Sequence, residues 1–185
     1  MIDQVLEDMR QEMERTITAL RREFAHTRTG RASTSLLEGI TVDYYGTRTP
    51  LNQIAGMSAP EPRLLVIQPY DKTALPQIER AILQSDLGLV PMNDGKILRV
   101  PIPELTEERR RDLVKHIRKV AEDHRVSMRN HRRDALDLLK TLEKDREITE
   151  DDLRRAQEKA QEVTKTFIDR VDQVLKLKED EIMEV

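Results

Sequence analysis

Apolar residues recur along this chain in two rhythms, one helical and one not. Ile2, Leu6, Met9, Met13, Ile17, Leu20 and Phe24 step by four and three, which sets them on one stripe of a helix expected to end near Thr29-Gly30. A second stripe, Leu113, Ile117, Val120, His124, Met128, His131, Ala135, Leu138 and Leu142, advances by about 3.6 residues per step, the period of a nearly straight amphipathic helix rather than a strict heptad supercoil. Thr106 is placed to cap its start, Glu107 and Glu108 suit the positive end of its dipole, and it should run to about Asp145. A third stripe, Leu153, Ala156, Ala160, Val163, Phe167, Val171 and Val174, opens on Thr149 as cap with Asp152 in the capping-box position. The "DREI" connection before it is short, so the second and third helices should be antiparallel neighbours.

Between Gly30 and Pro103 the rhythm changes. All eight prolines and all six glycines lie in this stretch, which excludes a long helix and favours short strands with turns. "GITVDYYG" reads as a strand rich in β-branched and aromatic residues, "RLLVIQP" as a buried strand, and "PQIERAILQSDLG" as a short helix with Pro near its start and Gly88 at its end. "MNDGKILRV" supplies an Asn-Asp-Gly turn ahead of another strand. The expected fold is therefore α+β: an elongated antiparallel three-helix bundle, residues 1–29 and 105–185, with a small α/β domain, residues 31–103, inserted between its first two helices. If those helices are antiparallel, both connections leave from the same tip, so the smaller lobe should be bent off one end. One connection holds Thr29, Gly30 and Arg31; the other holds Pro101, Pro103 and Glu104. One short tether with glycine and one stiffened by proline predict hinges near 29–31 and 101–105 whose angle varies within limits.

Composition narrows the chemistry. Hydrophobic and charged residues stand at 37% and 36%, and aromatics at 3% with no Trp, so the core must rest on aliphatic residues and Met rather than on a ring-lined ligand pocket. The absence of Cys removes disulfides, thiolate catalysis and cysteine-ligated zinc, and suits a reducing cytoplasm. The acidic N-terminal turns do not resemble a signal peptide, and no stretch reaches the roughly 18 apolar residues of a spanning helix, so a cytoplasmic protein with no membrane partner is expected.

Charge is distributed unevenly. The chain carries a net −3, yet ten basic and three acidic residues lie between Arg109 and Arg133. At 100° per residue, Arg118, Arg125, Arg129, Arg132, Arg133 and Lys140 fall within an arc of roughly 100°, turned about 120° from the apolar stripe, so they should line one solvent-facing side clear of the seam. Glu122 shares the arc and can pair with Arg118, Arg125 or Arg129 at helical spacing. An arginine row of this kind is either a solvated face or a surface for a partner rich in phosphate. The arginine excess within an acidic chain favours phosphate, and RNA over a membrane, because the apolar stripe is committed to the other helices.

Other candidate chemistry is sparse. His124 and His131 lie about 10.5 Å apart along the axis, too far to share one zinc, and fit seam positions. His26 is placed to meet the C-terminal carbonyls of the first helix. There is no Gly-rich phosphate loop after a strand, no nucleophile elbow and no paired carboxylates that the sequence sets in a cleft, so neither an enzyme nor a cofactor is expected.

Several motifs carry a family resemblance. "LRREFAHTRTGRAS" leading into "LLEGITVDYYGTRTPL", then "SDLGLVPMNDGKILRVPIPELTEERRRDLVK", "RVSMRNHRRDALDLLK" and "EITEDDL" closely resemble the bacterial ribosome recycling factors, nearly end to end. The resemblance implies an L-shaped protein of transfer-RNA-like outline, a three-helix bundle hinged to a β/α/β lobe. It implies a monomeric, non-enzymatic factor that binds the large ribosomal subunit and its 23S rRNA. With elongation factor G and GTP hydrolysis by that factor, it would free ribosomes from messenger RNA after termination, with no small-molecule substrate. The family's motif arginines fall on Arg125, Arg129, Arg132 and Arg133, and its basic hinge motif on Arg28 and Arg31. A helical scaffold that does not bind RNA, or a hydrolase or transferase in the α/β lobe, are the competing readings.

Overall fold

The computed structural model describes residues 1–184. Two compact units make up the chain: Met1–Phe24 with everything from Arg111 onward, and Ala25–Arg110.

The larger unit is built from α1 (Ile2–Ala25), most of α4 (Glu107–Lys144) and α5 (Glu150–Met183). Side chains that cross between helices fix their directions. Thr16 and Glu23 of α1 meet His131 and His124 of α4, so residue numbers rise on one helix as they fall on the other. Arg118 and Arg125 of α4 meet Glu179 and Asp172 of α5 in the same opposed order. α4 is thus antiparallel to both neighbours, and its 38 residues span about 57 Å. The core is mostly aliphatic, with three alanines and a phenylalanine among its buried residues: Met13, Ile17 and Leu20 of α1, Ile117, Ala121, Met128 and Leu139 of α4, Ala156, Ala160, Phe167 and Val171 of α5.

Both ends of the α4–α5 turn are chemically specified. Arg146 stands in the left-handed region at φ 61°, while Glu147 N–H donates to the Leu142 carbonyl and Arg146 N–H to that of Glu143. These bonds form a Schellman closure with arginine where glycine is the usual occupant. Three residues on, Thr149 and Asp152 complete the expected capping box, each side chain accepting from the other's backbone N–H.

Three local expectations shift. α1 ends at Ala25, not near Gly30, because the chain there turns into the smaller unit: His26 pairs through Nδ1 with the Ser35 carbonyl rather than with α1 carbonyls, and Thr29 is buried. Leu138 and Leu139 should both turn inward; Leu139 is buried, but Leu138, 100° around the helix, is 58% exposed. The reason is that α4 packs between two helices, so its most buried line points between them. Leu138 instead stands on the rim of an α1–α4 groove with Val5, Met9 and His131. Third, the strand read as buried alternates: Leu65, Ile67 and Pro69 are buried, while Leu64 and Val66 are half-buried and Gln68 exposed, as on a sheet covered on one face.

The smaller unit opens with a hairpin, β1 (Thr41–Tyr44) and β2 (Thr47–Pro50), and one turn of helix, α2 (Leu51–Ile54). A four-stranded antiparallel sheet follows, formed by β3 (Ala55–Glu61), β4 (Leu64–Pro69), β5 (Met92–Asn93) and β6 (Leu98–Pro101) in the order β3-β4-β6-β5, with α3 (Leu75–Gln84) connecting β4 to β5. Its core gathers Val42, Leu65, Ile67, Ile78, Ile82, Leu98 and Val100. Local polar groups shape the turns. Asp94 Oδ1 accepts from Lys96 and Ile97 N–H, and these bonds, with one from Arg99, hold its carboxyl down at about 2. Asp71 accepts from the Thr73 N–H and hydroxyl and from the hydroxyls of Tyr44 and Tyr45, which keeps its pKa below the ordinary value.

Candidate nucleic-acid interface

Arg118, Arg125, Arg129, Arg132, Arg133 and Lys140 occupy one flank of α4, as the helical arithmetic requires. That flank is not clear of the helix seam, however. An arc 120° from the apolar stripe lies beside α5, and a long guanidinium stem spans the gap. Arg118 Nε donates to Glu179 Oε1 at 2.6 Å; Arg125 Nε and Nη2 both donate to Asp172 Oδ1 at 2.9 and 2.6 Å; Arg132 Nη1 donates to Gln161 Oε1 at 2.7 Å. Arg125 is much more enclosed than Arg118, its side chain 19% exposed against 62%. Burial works against its charge, but the bonds to Asp172 and Glu122 outweigh burial and its pKa is raised.

Glu122, which the sequence places among the arginines, bridges two of them. Arg125 Nη1 donates to its Oε2 at 3.0 Å and Arg129 Nη1 to its Oε1 at 3.2 Å, and these bonds, Arg129's first, lower its pKa. Arg133 meets a neutral amide, Nη2 to Asn130 Oδ1 at 2.7 Å, and is exposed, as is Lys140. The cationic ladder therefore has two parts: a stretch from Arg118 to Arg129 tied to carboxylates and a lower end, toward Lys140, where Arg132 and Arg133 bond to amides. Sequence reasoning missed Asp172, Glu179 and Gln161, although the first two repeat on α5 the seven-residue spacing of Arg125 and Arg118 on α4.

The opposite side of α4 is a seam. His131 Nε2 lies 3.0 Å from the Thr16 hydroxyl, and His124 Nδ1 lies 2.7 Å from the Val120 carbonyl while its Nε2 faces Glu23 at 3.9 Å. Among the described residues, no group of three or more His, Asp or Glu stands where it could hold a metal.

The remaining candidates belong to the smaller unit. Arg28 is half-buried and Arg31 exposed. Gly30 has φ 81°, and a Cβ there would stand 3.3 Å from Leu105 Cγ, so the two connecting segments lie against each other. Pro101 ends β6 opposite Leu64, the Ile102 N–H donates to the Arg63 carbonyl, and Glu104 pairs with Arg63 at 2.9 Å. Thr29, Gly30, Pro101, Pro103 and Glu104 are thus built into the smaller unit, whose limits fall outside them at 24/25 and 110/111.

A small antiparallel sheet unit carried between the first two helices of a bundle, with an arginine ladder along the central helix, defines an α+β protein organised around an extended polar surface. A sequence profile described as "Ribosome recycling factor" matches residues 20–183. The chain belongs to the ribosome recycling factor family. It is 56% identical over 185 residues to the ribosome-recycling factor of Halalkalibacterium halodurans, covering 100% of both chains, and 54% identical over 181 residues to that of Natranaerobius thermophilus, covering 98% of each. Among solved structures it is similar to a solution structure of a ribosome recycling factor, with a TM-score of 0.81 and 40% identity over 100% of this chain and 98% of that one. It is also similar, at a TM-score of 0.69 and 46% identity over 99% of both chains, to the T. thermophilus ribosome recycling factor described with E. coli elongation factor G bound to the E. coli post-termination complex. No described helix is long and apolar enough to cross a membrane.

Proposed function

We propose that this protein docks on the large ribosomal subunit through the arginine flank of α4 and, with elongation factor G and its GTP hydrolysis, separates post-termination ribosomes into subunits and frees the messenger RNA. It acts in the cytoplasm as a monomer and catalyses no covalent step itself. The observation that carries this reading is the placement of Arg125, Arg129, Arg132 and Arg133 on one flank of a single unbroken helix within a chain of this family. Guanidinium forks suit the phosphates of 23S rRNA, and a straight helix about 57 Å long presents them at fixed intervals. A relative described with elongation factor G on a post-termination complex supports the choice of partner. The smaller unit, residues 25–110, is the part we assign to elongation factor G. The joint then lies just outside the packed segments around Gly30 and Leu105, so Thr29, Gly30, Arg31, Pro101, Pro103 and Glu104 serve as its base. Arg28 and Arg31 add basic contacts there, while Arg118 and Lys140 extend the flank at either end.

Sedimentation of post-termination ribosomes with elongation factor G, GTP and this protein should show free subunits that are absent when the protein is withheld. Unchanged ribosomes would refute the reading. Replacing Arg129 and Arg133 by Ala should weaken large-subunit binding by about 1–3 kcal/mol for each arginine removed and flatten its salt dependence, with the helical fold intact.

A further inference from the structure

Carboxylates hold the arginine flank from its upper end to its middle, Glu179 at Arg118 and then Asp172 and Glu122, which together serve Arg125 and Arg129. Arg125 makes three hydrogen bonds to acids: Nε and Nη2 to Asp172, and Nη1 to Glu122. Glu122 also takes one bond from Arg129. A guanidinium has five N–H donors, so Arg125 retains one on each Nη. Taken together, Arg125, Arg129, Glu122 and Asp172 carry no net charge, whereas Arg132 and Arg133 meet the amides of Gln161 and Asn130.

This arrangement has opposite effects on two kinds of RNA. A flexible strand gains from any accessible cation, and here it must compete with carboxylates already bonded to the guanidinium while feeling a weakened field. A folded RNA surface, whose phosphates are fixed, gains from guanidinium planes already held in orientation, because less side-chain freedom is lost on binding. The acids therefore act against the first ligand more than against the second.

We propose that Asp172 and Glu122 are specificity-determining residues of the RNA-binding flank, suppressing attachment to unstructured RNA while orienting Arg125 and Arg129 for the fixed phosphates of a folded rRNA surface. The inference rests on the reading of that flank as the rRNA-binding one. Discrimination of this kind works by penalising the wrong partner rather than by adding contacts to the right one.

The test compares the wild-type chain with Asp172→Asn, Glu122→Gln and the double variant in two titrations at the same salt concentration, one with polyuridylate and one with purified large subunits. Both acids are about half exposed and Asn and Gln keep a carbonyl oxygen that accepts from the guanidinium, so each variant should keep the wild-type helical circular dichroism, which is checked before the titrations. The double variant should bind polyuridylate about 5- to 10-fold more tightly, with a steeper salt slope, while its large-subunit affinity moves less than about twofold. The ratio of large-subunit to polyuridylate affinity then falls at least about 2.5-fold. A ratio that stays put, because both affinities rise together or neither moves, overturns the proposal, and so does a ratio that rises. An Arg129→Ala, Arg133→Ala variant in the same titrations separates the two levels of inference. If it binds large subunits as the wild type does, the assignment of the flank itself fails; if it binds them weakly while the acid variants leave the ratio unchanged, only the role of the acids fails.

Discussion

The two units of this protein are ordered by different means. In residues 25–110 the sheet pairs strands distant in sequence, but its turns are set locally: Asp94 and Asp71 tie up backbone N–H groups within three residues of themselves, and Tyr45-Gly46 turns the β1–β2 hairpin with both residues at positive φ. In the larger unit the decisive contacts join distant parts of the chain, as when Thr16 meets His131, Glu14 meets Arg170 and Arg118 meets Glu179. Turn chemistry concerns neighbours in sequence, whereas helix pairing depends on which flanks of long, separately periodic segments come together.

The contrast can be tested from its largest effect downward. Truncating Ile17→Ala in the helices and Leu98→Ala in the sheet, both fully buried, should each destabilise by about 2–5 kcal/mol in urea unfolding. If the units are ordered independently, hydrogen exchange should show each destabilisation concentrated in its own unit. Gly30→Ala should cost about 1–2 kcal/mol, since it combines a φ of 81° with crowding against Leu105, while Gly39→Ala, equally left-handed but with open space around it, should cost less. Asp94 gives a pH signature. Its folded pKa, about 2, lies below the ordinary value of 3.8, so its contribution is fully present above about pH 4 and is lost as the pH falls through 2. Acid titration of an Asp94→Asn variant should lack that component, and the change should register in strand rather than helix signals. The smallest effect is a gain: Arg146→Gly relieves the left-handed residue of the α4–α5 closure and should raise stability by about 0.5–1 kcal/mol.

Much of this is legible in the sequence because it depends on residues close together along the chain. The Thr149–Asp152 box and the Asn-Asp-Gly turn appear where their motifs stand, and the short Pro76 helix starts as expected but ends at Gln84, capped at Ser85 where the Ser85 hydroxyl bonds the Ile82 carbonyl, short of Gly88. The α+β class follows from two incompatible rhythms in one chain. The end of α1 is not legible, because apolar spacing continues to Phe24 and nothing between Ala25 and Gly30 announces that the chain has begun to pack as part of the smaller unit. Leu138 escapes sequence reasoning because one helix's period defines a stripe only to within a residue; the partner on each side decides which edge is covered. The arginine flank can be read from the sequence, but its acceptors on α5 cannot. A helical wheel shows what shares a face on one helix and is silent about what stands opposite.

The ion pairs between α4 and α5 also solve a problem of alignment. Ala156 and Ala160 present a smooth surface along which a neighbouring helix could slide by a turn with little apolar penalty. Arg118 opposite Glu179 and Arg125 opposite Asp172 make every such slide unequal. Moving α5 by four residues in one direction would set Arg125 against Ile168 and Arg118 against Leu175. In the other direction, Arg125 would face Lys176 and Arg118 would face Met183. Neither displaced arrangement returns a carboxylate to either arginine, so two pairs spaced by seven residues act as a vernier that selects one axial setting for the helices.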